Sequence, residues 1–524
     1  MLLIGLPYIV ATVVVFALTA LAARRAWARP TVADVFTDHM VLQRDVDVPV
    51  WGTANPGESV TVELAGATAD GEADAEGAWR ATLPPLSAGG PHEMVVRGAE
   101  SVALTNVMVG EVWIAAGQSN MEWPMSASLR VAEYLPAATD PDLRLFTCPR
   151  VMFHEPTDRV DGPWTPCTPE AAHGFSAVAY HFGRHLRREL GVPVGLINAS
   201  WGGSWIEAWI SRPRLESDEA FAAGLARYDN ALRAYEGGMT DMPWRTHEYR
   251  VGMRTAMQGG GEFPAAPTPP ADPREQANRP AGMYNGMIAP VVPYAIRGAL
   301  WYQGESNAIS SLSYAYRGLL HALINDWREA WDIGAFPFLV VQLPDWLLPP
   351  EEPEDDMWAE IREAQAAALE LENTGLTVTL DIGDADDIHP PNKRDVGARL
   401  ALNALRVAYG RDVLDSGPTY AGMVEEAEEA AIRISFENVG SGLATVGGKP
   451  LAGFAIAGAD RKFRWAQATI EGDTVVVHSD LVRHPAAVRY AWASNPLCNL
   501  TNDSGLPARP FRTDDWPGIT DDNQ

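Results

Sequence analysis

Ser119 stands in "GQSNM" (117–121), directly after the apolar run "GEVWIAA". A hydroxyl is a poor nucleophile until a base takes its proton, and a strand-to-helix turn presents such a side chain outward with helix amides beside it. Serine is also a common helix N-cap, a bland reading that covers Ser119 taken alone. It leaves three other segments unexplained, each following a further apolar run: "NASWGGSWIEAW" (198–209), "YQGESN" (302–307) and "DIGDADDIHPPNK" (381–393). A serine, a Gly pair, an amide-rich loop and a histidine among aspartates form an inventory for acyl transfer.

His389 is the candidate base, in a segment stiffened by Pro390 and Pro391 that holds Asp384, Asp386 and Asp387. A carboxylate accepting one imidazole N–H sets the tautomer and stabilises the imidazolium. Both Asp386 and Asp387 are candidates for it. Negative charge developing on a carbonyl oxygen needs donors held in place, and glycines let backbone amides approach closely. The amide of Ser119, Gly202, Gly203 and Gln303 are the candidate oxyanion donors. Gln118, Asn120, Trp201, Glu305 and Asn307 flank them as candidate substrate-binding groups, although the tryptophans beside the motifs, Trp113, Trp123, Trp201, Trp205, Trp209 and Trp301, are each more readily core than sugar platform. His181 and His185 stand four apart beside Arg184, Arg187 and Arg188, which suits a metal, but a solvated basic face is the favoured reading. No zinc-finger or H-E-x-x-H spacing occurs.

These segments need a scaffold that brings them to one rim. Apolar runs at 111–116, 194–198, 297–302, 337–342 and 376–381 read as strands, and 176–190, 313–331, 357–372 and 393–408 as helices. Strands buried on both faces and alternating with helices imply a parallel, doubly wound sheet, whose ligands bind beyond the carboxyl ends of the strands. Residues 31–106 read as short strands with regular turns, a small sandwich-like β-domain. The central unit spans 107–410, interrupted at 212–282 by a polar helical stretch, a Gly triplet and "FPAAPTPPADP", together read as an insertion near the site. From 411 to 524 the chain is again β-rich.

With 524 residues the chain is expected to hold several domains. A formal charge of −28 argues against nucleic acid, which is held mainly by Lys and Arg. Residues 2–23 are uncharged and apolar, so 1–30 read as a signal peptide or membrane anchor and the protein as exported, periplasmic or extracellular. Three cysteines are too few for a disulfide scaffold; a Cys148–Cys167 bridge and three buried thiols are both open.

The motifs "GEVWIAAGQSNM", "WGGSWIEAW", "WYQGESN" and "DDIHPPNK" resemble the sialate O-acetylesterase family, within the SGNH-hydrolase superfamily of flavodoxin-like esterases. So do "ADVFTDHMVLQRD" and "GFAIAGADRKFRWAQATIEGDTVVVHS", which extends the resemblance over nearly the whole chain from about residue 32. It implies a three-layer αβα domain with a parallel sheet and a serine esterase that removes O-acetyl groups from sialic acids or polysaccharides through an acetyl-enzyme. Ser119 falls on the nucleophile, His389 on the base, and Gly202 or Gly203 and Gln303 on the oxyanion hole. The superfamily's acid stands three before the histidine, at Asp386, whereas this family keeps it two before, at Asp387. Gln118 departs from the Asp that many superfamily members carry. No metal or organic cofactor is implied, and the oligomeric state is left open. The rival in another class is a non-catalytic carbohydrate-binding protein on an esterase scaffold.

Overall fold

The computed structural model describes residues 30–521, so the apolar stretch 2–23 lies outside the described residues. Among the described residues no helix is long and apolar enough to cross a membrane. The protein is a mixed α/β molecule whose largest sheet has eleven strands.

The spine of that sheet is β1 (Ser101–Gly117), whose burial changes along its length. Residues 101–106 alternate between exposed and half-buried, while 107–117 are buried throughout. The first stretch pairs antiparallel with Gly89–Arg97; the second is flanked by parallel partners, which bury both faces of a strand. The expected boundary at 106–107 therefore falls inside one strand, and a single hydrophobic core runs from the N-terminal β-region into the central sheet. Glu111 is the one charged residue on the buried stretch, and it is held by Gln43, Arg44 and Arg297 at 3.1, 2.6 and 2.9 Å.

The parallel strands are β1, β2 (Asp140–Thr147), β3 (Val194–Ser200), β4 (Gly298–Tyr302), β5 (Phe338–Val341) and β6 (Thr374–Thr377). They lie in the order β2-β3-β1-β4-β5-β6. Setting aside β2, this is the doubly wound order 2-1-3-4-5, with the chain passing to opposite sides of β1. The sequence reading found every one of these strands except β2, which is short of apolar residues at its start, and its antiparallel neighbour Thr165–Cys167. Strand β6 is shorter than the expected 376–381, because Val378 and Leu380 leave the sheet to join a second core under the C-terminal strands.

The helices that matter to the site are α1 (Ser119–Glu122), α2 (Ala177–Leu190), α3 (Glu219–Met257), α4 (Tyr316–Trp331), α5 (Met357–Ala366) and α6 (Lys393–Val407). Gly397 of α6 lets that helix meet α2, since a Cβ there would sit 2.7 Å from the Val178 carbonyl and from the Phe182 amide nitrogen. His181 of α2 lies under this contact, 6 % exposed and edge-on to Tyr134 and Tyr180. The expected solvated basic face is thus wrong at His181, whose imidazole is pushed down to about 4 by burial, then by Arg184. The expected insertion contains α3, and its proline-rich return lies back along the helix, with Pro264 against Gly252 and Pro270 against Gly238.

All three cysteines are free. Cys167 pairs with Asp140 at the start of β2 while Cys148 follows its end, about 25 Å along the strand, far beyond the reach of a bridge. From Thr419 onward two four-stranded antiparallel sheets and a two-stranded one surround the second core.

Candidate active site

Three strand ends are flush. Gly117 pairs with Ser200 on one side and with Tyr302 on the other, so the loops after β1, β3 and β4 begin at one edge. Gly117 has φ +135°, and a Cβ on it would lie 2.1 Å from the Tyr302 carbonyl oxygen, so only glycine lets the chain turn here. Ser119 then opens α1, where its amide has no intrahelical acceptor.

The histidine arrives from three strands away. The loop after β6 crosses the sheet edge, and His389 Nε2 comes to 2.8 Å from Ser119 Oγ. Asn120 ties the two segments together: its amide donates to the Ile388 carbonyl at 3.0 Å and to Glu305 Oε1 at 2.6 Å, and its oxygen accepts from Lys393 Nζ. On the far side of the imidazole, Asp387 Oδ1 lies 3.3 Å from Nδ1 and accepts the His389 backbone N–H at 2.8 Å. Asp386 is turned elsewhere and donates its own amide to Asp384 Oδ1. Trp123 stacks on the imidazole, ring centroids 5.1 Å apart at 17°.

Burial, then the neighbouring Lys393, holds His389 below its usual 6.5, while Asp387 pulls the other way. Lys393 is fully buried and is itself lowered to about 7 by desolvation, against the pull of Glu305 and Asp387. Its ammonium lies over the Trp123 and Tyr302 rings at 5.6 and 5.7 Å. Glu305 is buried too, and desolvation raises its carboxyl above the ordinary range.

The candidate oxyanion donors are placed unevenly. Gly202 lies against the serine, a Cβ there falling 3.3 Å from Ser119 Cβ, but its amide donates to Glu122 Oε2 at 2.5 Å. Glu122 also pairs with Arg150. Gly203 is exposed with φ +73°. The Gln303 amide group faces Gln118 Oε1, the Ser204 carbonyl and Asn307 Oδ1 at 3.1, 3.0 and 2.8 Å, so it is spent on the protein.

Most of the expected substrate-binding groups form the floor of the site rather than its mouth. Gln118, Asn120, Glu305 and Asn307 are 3, 0, 1 and 0 % exposed, and their hydrogen bonds run to one another, to Gln303, Lys393 and Glu207, and to the backbone. A sugar cannot reach side chains already enclosed in this way. Trp201 is half-buried, with its amide bonded to the Gly117 carbonyl at 3.0 Å.

The chain resembles known proteins over most of its length. A family profile described as "Carbohydrate esterase, sialic acid-specific acetylesterase" matches residues 275–406. The sialate O-acetylesterase of Mus musculus is 28% identical over 553 residues, covering 95% of this chain and 97% of that protein; that of Homo sapiens is 28% identical, covering 93% of each. A solved carbohydrate acetylesterase from Xanthomonas citri is 37% identical, covers 93% of this chain and all of its own, and superposes with a TM-score of 0.79. The chain belongs to the sialate O-acetylesterase family.

Within this carbohydrate esterase, Glu122, Arg150 and Lys393 are the site-lining groups that sequence reasoning missed, and Trp123 was noted only as one of several tryptophans near the motifs. Glu122 and Trp123 follow Ser119 by three and four residues, one helical turn, and Lys393 closes the "HPPNK" segment, so spacing was a usable signal for those three. Arg150 gave none, since its approach depends on the loop after β2.

Proposed function

We propose that this carbohydrate esterase removes O-acetyl groups from sugars, sialic acids or acetylated polysaccharides, through a Ser119–His389–Asp387 triad and an acetyl-enzyme. The observation that carries the reading is the 2.8 Å contact between Ser119 Oγ and His389 Nε2, made by residues 270 apart in the chain. His389 takes the Ser119 proton as Oγ attacks the acetyl carbonyl carbon, and Asp387 stabilises the imidazolium. The oxyanion accepts from the amide of Ser119 and from that of Gly202, which donates to it once the Glu122 carboxylate swings towards Arg150. His389 then protonates the departing sugar oxygen. Water attacks the acetyl-enzyme after giving its proton to His389, and acetate leaves as Ser119 recovers its hydrogen.

The same reading takes the doubly wound strand order as the three-layer αβα arrangement of SGNH hydrolases, flanked by β-rich units at 31–106 and 411–524. Export, periplasmic or extracellular, with residues 1–30 as leader or anchor, is part of it, and N-terminal sequencing of the mature protein tests that element.

One observation favours the rival, a sugar-binding protein without activity: two of the expected oxyanion donors, Gly202 and Gln303, are engaged by protein acceptors. Hydrolysis of p-nitrophenyl acetate decides between them. The esterase reading expects turnover by the wild type and its loss, by a factor of about 10⁴ or more, in Ser119→Ala. Equal inertness of both proteins with sugar binding retained would establish the rival.

A further inference from the structure

At the start of β2, the end of the sheet opposite to Ser119, lies a cavity of about 180 Å³ lined by Thr139, Asp140, Cys167, Tyr180, Arg184 and Arg188. Helix α2 runs between the two ends. Its N-cap Ser176 donates its hydroxyl to the Met121 carbonyl of α1 at 2.6 Å, while Arg184 and Arg188 stand one turn apart in its second half. At about 1.5 Å per residue, Arg188 is roughly 18 Å along the axis from that cap. The cavity is therefore remote from the reacting centre.

Among the described residues neither Arg184 nor Arg188 forms an ion pair or a hydrogen bond, because the carboxylates nearby are engaged by others. Asp140 Oδ1 accepts the Asp142 amide at 3.0 Å, and its Oδ2 lies 3.7 Å from Arg187 Nε. Asp142 pairs with Arg187 too, and Arg144 feels both aspartates. Glu189, exposed at the end of α2, acts on His185. The Cys167 thiol is pushed up to about 12 by burial and carries no charge at neutral pH. Arg184 and Arg188 thus stand as local positive excess in a chain whose formal charge is −28. Tyr180 adds an independent sign. It is 1 % exposed, and its hydroxyl has no hydrogen-bond partner among the described residues. Burial holds the phenol above its ordinary range while Arg184 and Arg188 pull it down, so the hydroxyl lies within reach of both cations. A buried hydroxyl without a partner is costly and persists where a ligand completes it.

We propose that this cavity binds a small tetrahedral oxyanion, inorganic phosphate or the phosphoryl end of a small phosphomonoester, between Arg184 and Arg188 with the Tyr180 hydroxyl donating to it. A guanidinium presents its donors as a rigid fork that matches phosphate oxygens, and such charge-assisted bonds are the strong ones. At about 30 Å³ for each water, the cavity has room for roughly six, which suits a phosphate and not a polymer. The proposal uses no residue of the Ser119 site and stands or falls apart from the esterase reading.

Calorimetric titration of the full chain with sodium phosphate tests this, at neutral pH and low ionic strength, where the charges are least screened. The wild type is expected to bind one equivalent with a Kd below about 1 mM, Arg184→Met at least about tenfold more weakly and Arg188→Met at least about threefold more weakly. Arg188 is exposed, so its variant keeps the test open should Arg184→Met fail to fold. Tyr180→Phe, which keeps the ring, is expected to weaken binding by about twofold or more. Methyl phosphate forms a second series: tighter binding of the ester assigns the site to a phosphomonoester, and equal or weaker binding assigns it to the free ion. Ser119→Ala should bind phosphate as the wild type does. Absence of saturable binding up to about 20 mM, binding unchanged in both arginine variants, or its loss in Ser119→Ala, which would move the anion to the catalytic edge, overturns the proposal.

Discussion

Asp386 and Asp387 are neighbours in the chain, yet one faces His389 and the other does not. Asp387 lies 3.3 Å from the imidazole, whereas Asp386 closes a turn on Asp384. Asp387→Asn is therefore expected to lower kcat/KM for p-nitrophenyl acetate by about 10²-fold or more and Asp386→Asn to stay within about twofold. Assays of the two variants side by side check this. Gly202→Ala puts a methyl 3.3 Å from Ser119 Cβ and 3.2 Å from Glu122 Oε2, so it should reduce kcat by about 10²-fold with little change in melting temperature. Proton chemistry follows the same local logic. Since burial and then Lys393 hold His389 below 6.5, the base is neutral above that pH, and activity should fall only as the pH drops through a value under 6.5. Removing the cation in Lys393→Met removes a force that lowers the imidazole, so the acid limb of the pH–rate profile should move up. A limb that stays in place or moves down would exclude that coupling. These assignments were half legible: the residue types and their order named Ser119 and His389, while the choice between adjacent aspartates depends on which side chain the loop turns inward.

At the level of elements, the site depends on a flush edge and a close helix contact. Gly117, Ser200 and Tyr302 end their strands side by side, which periodicity predicted for the strands but could not align. Helix α6 starts four residues after His389 and is seated on α2 through Gly397, where the neighbouring atoms are backbone and cannot give way. Gly397→Val should consequently cost about 2–3 kcal/mol and also lower kcat, because the displaced helix carries Lys393 and follows the base. Denaturant unfolding and steady-state rates measure the two effects. Strand β2 was missed because "DPDLRLFT" opens with charge and proline, which read as a turn until a parallel neighbour is supplied. His181 was misjudged for a similar reason: three arginines nearby read as solvent-facing, and only the approach of α6 at Gly397 buries the ring, which lies edge-on to Tyr134.

At the level of the whole molecule, the C-terminal β-region is tied to the catalytic unit by several contacts, among them Arg489 to Asp355 and Arg512 to Glu363, and by one fully enclosed cation. Arg362 of α5 is 0 % exposed and donates to the carbonyls of Leu343, Pro344, Ala493 and Ser494 at 2.8, 2.7, 2.6 and 2.9 Å. Arg362→Met leaves these acceptors unpaired and is expected to cost on the order of 3–5 kcal/mol, visible as a lower melting temperature. A loss under about 1 kcal/mol would mean that the region is held by other contacts. What the sequence by itself determined is the candidate carriers of the proposed chemistry and the strands that hold them: a serine after one strand, a histidine after another, glycines where the backbone must turn tightly, and strands apolar enough to be buried on both faces. Those properties are local, set by residue type and by spacing within a few positions. Only the tertiary structure decided which donors are free and that Gln118, Asn120, Glu305 and Asn307 are floor rather than mouth. Each of these depends on burial and on partners supplied from a hundred or more residues away, or, at Gly202, on how separate loops happen to meet, and no short stretch of chain encodes that meeting.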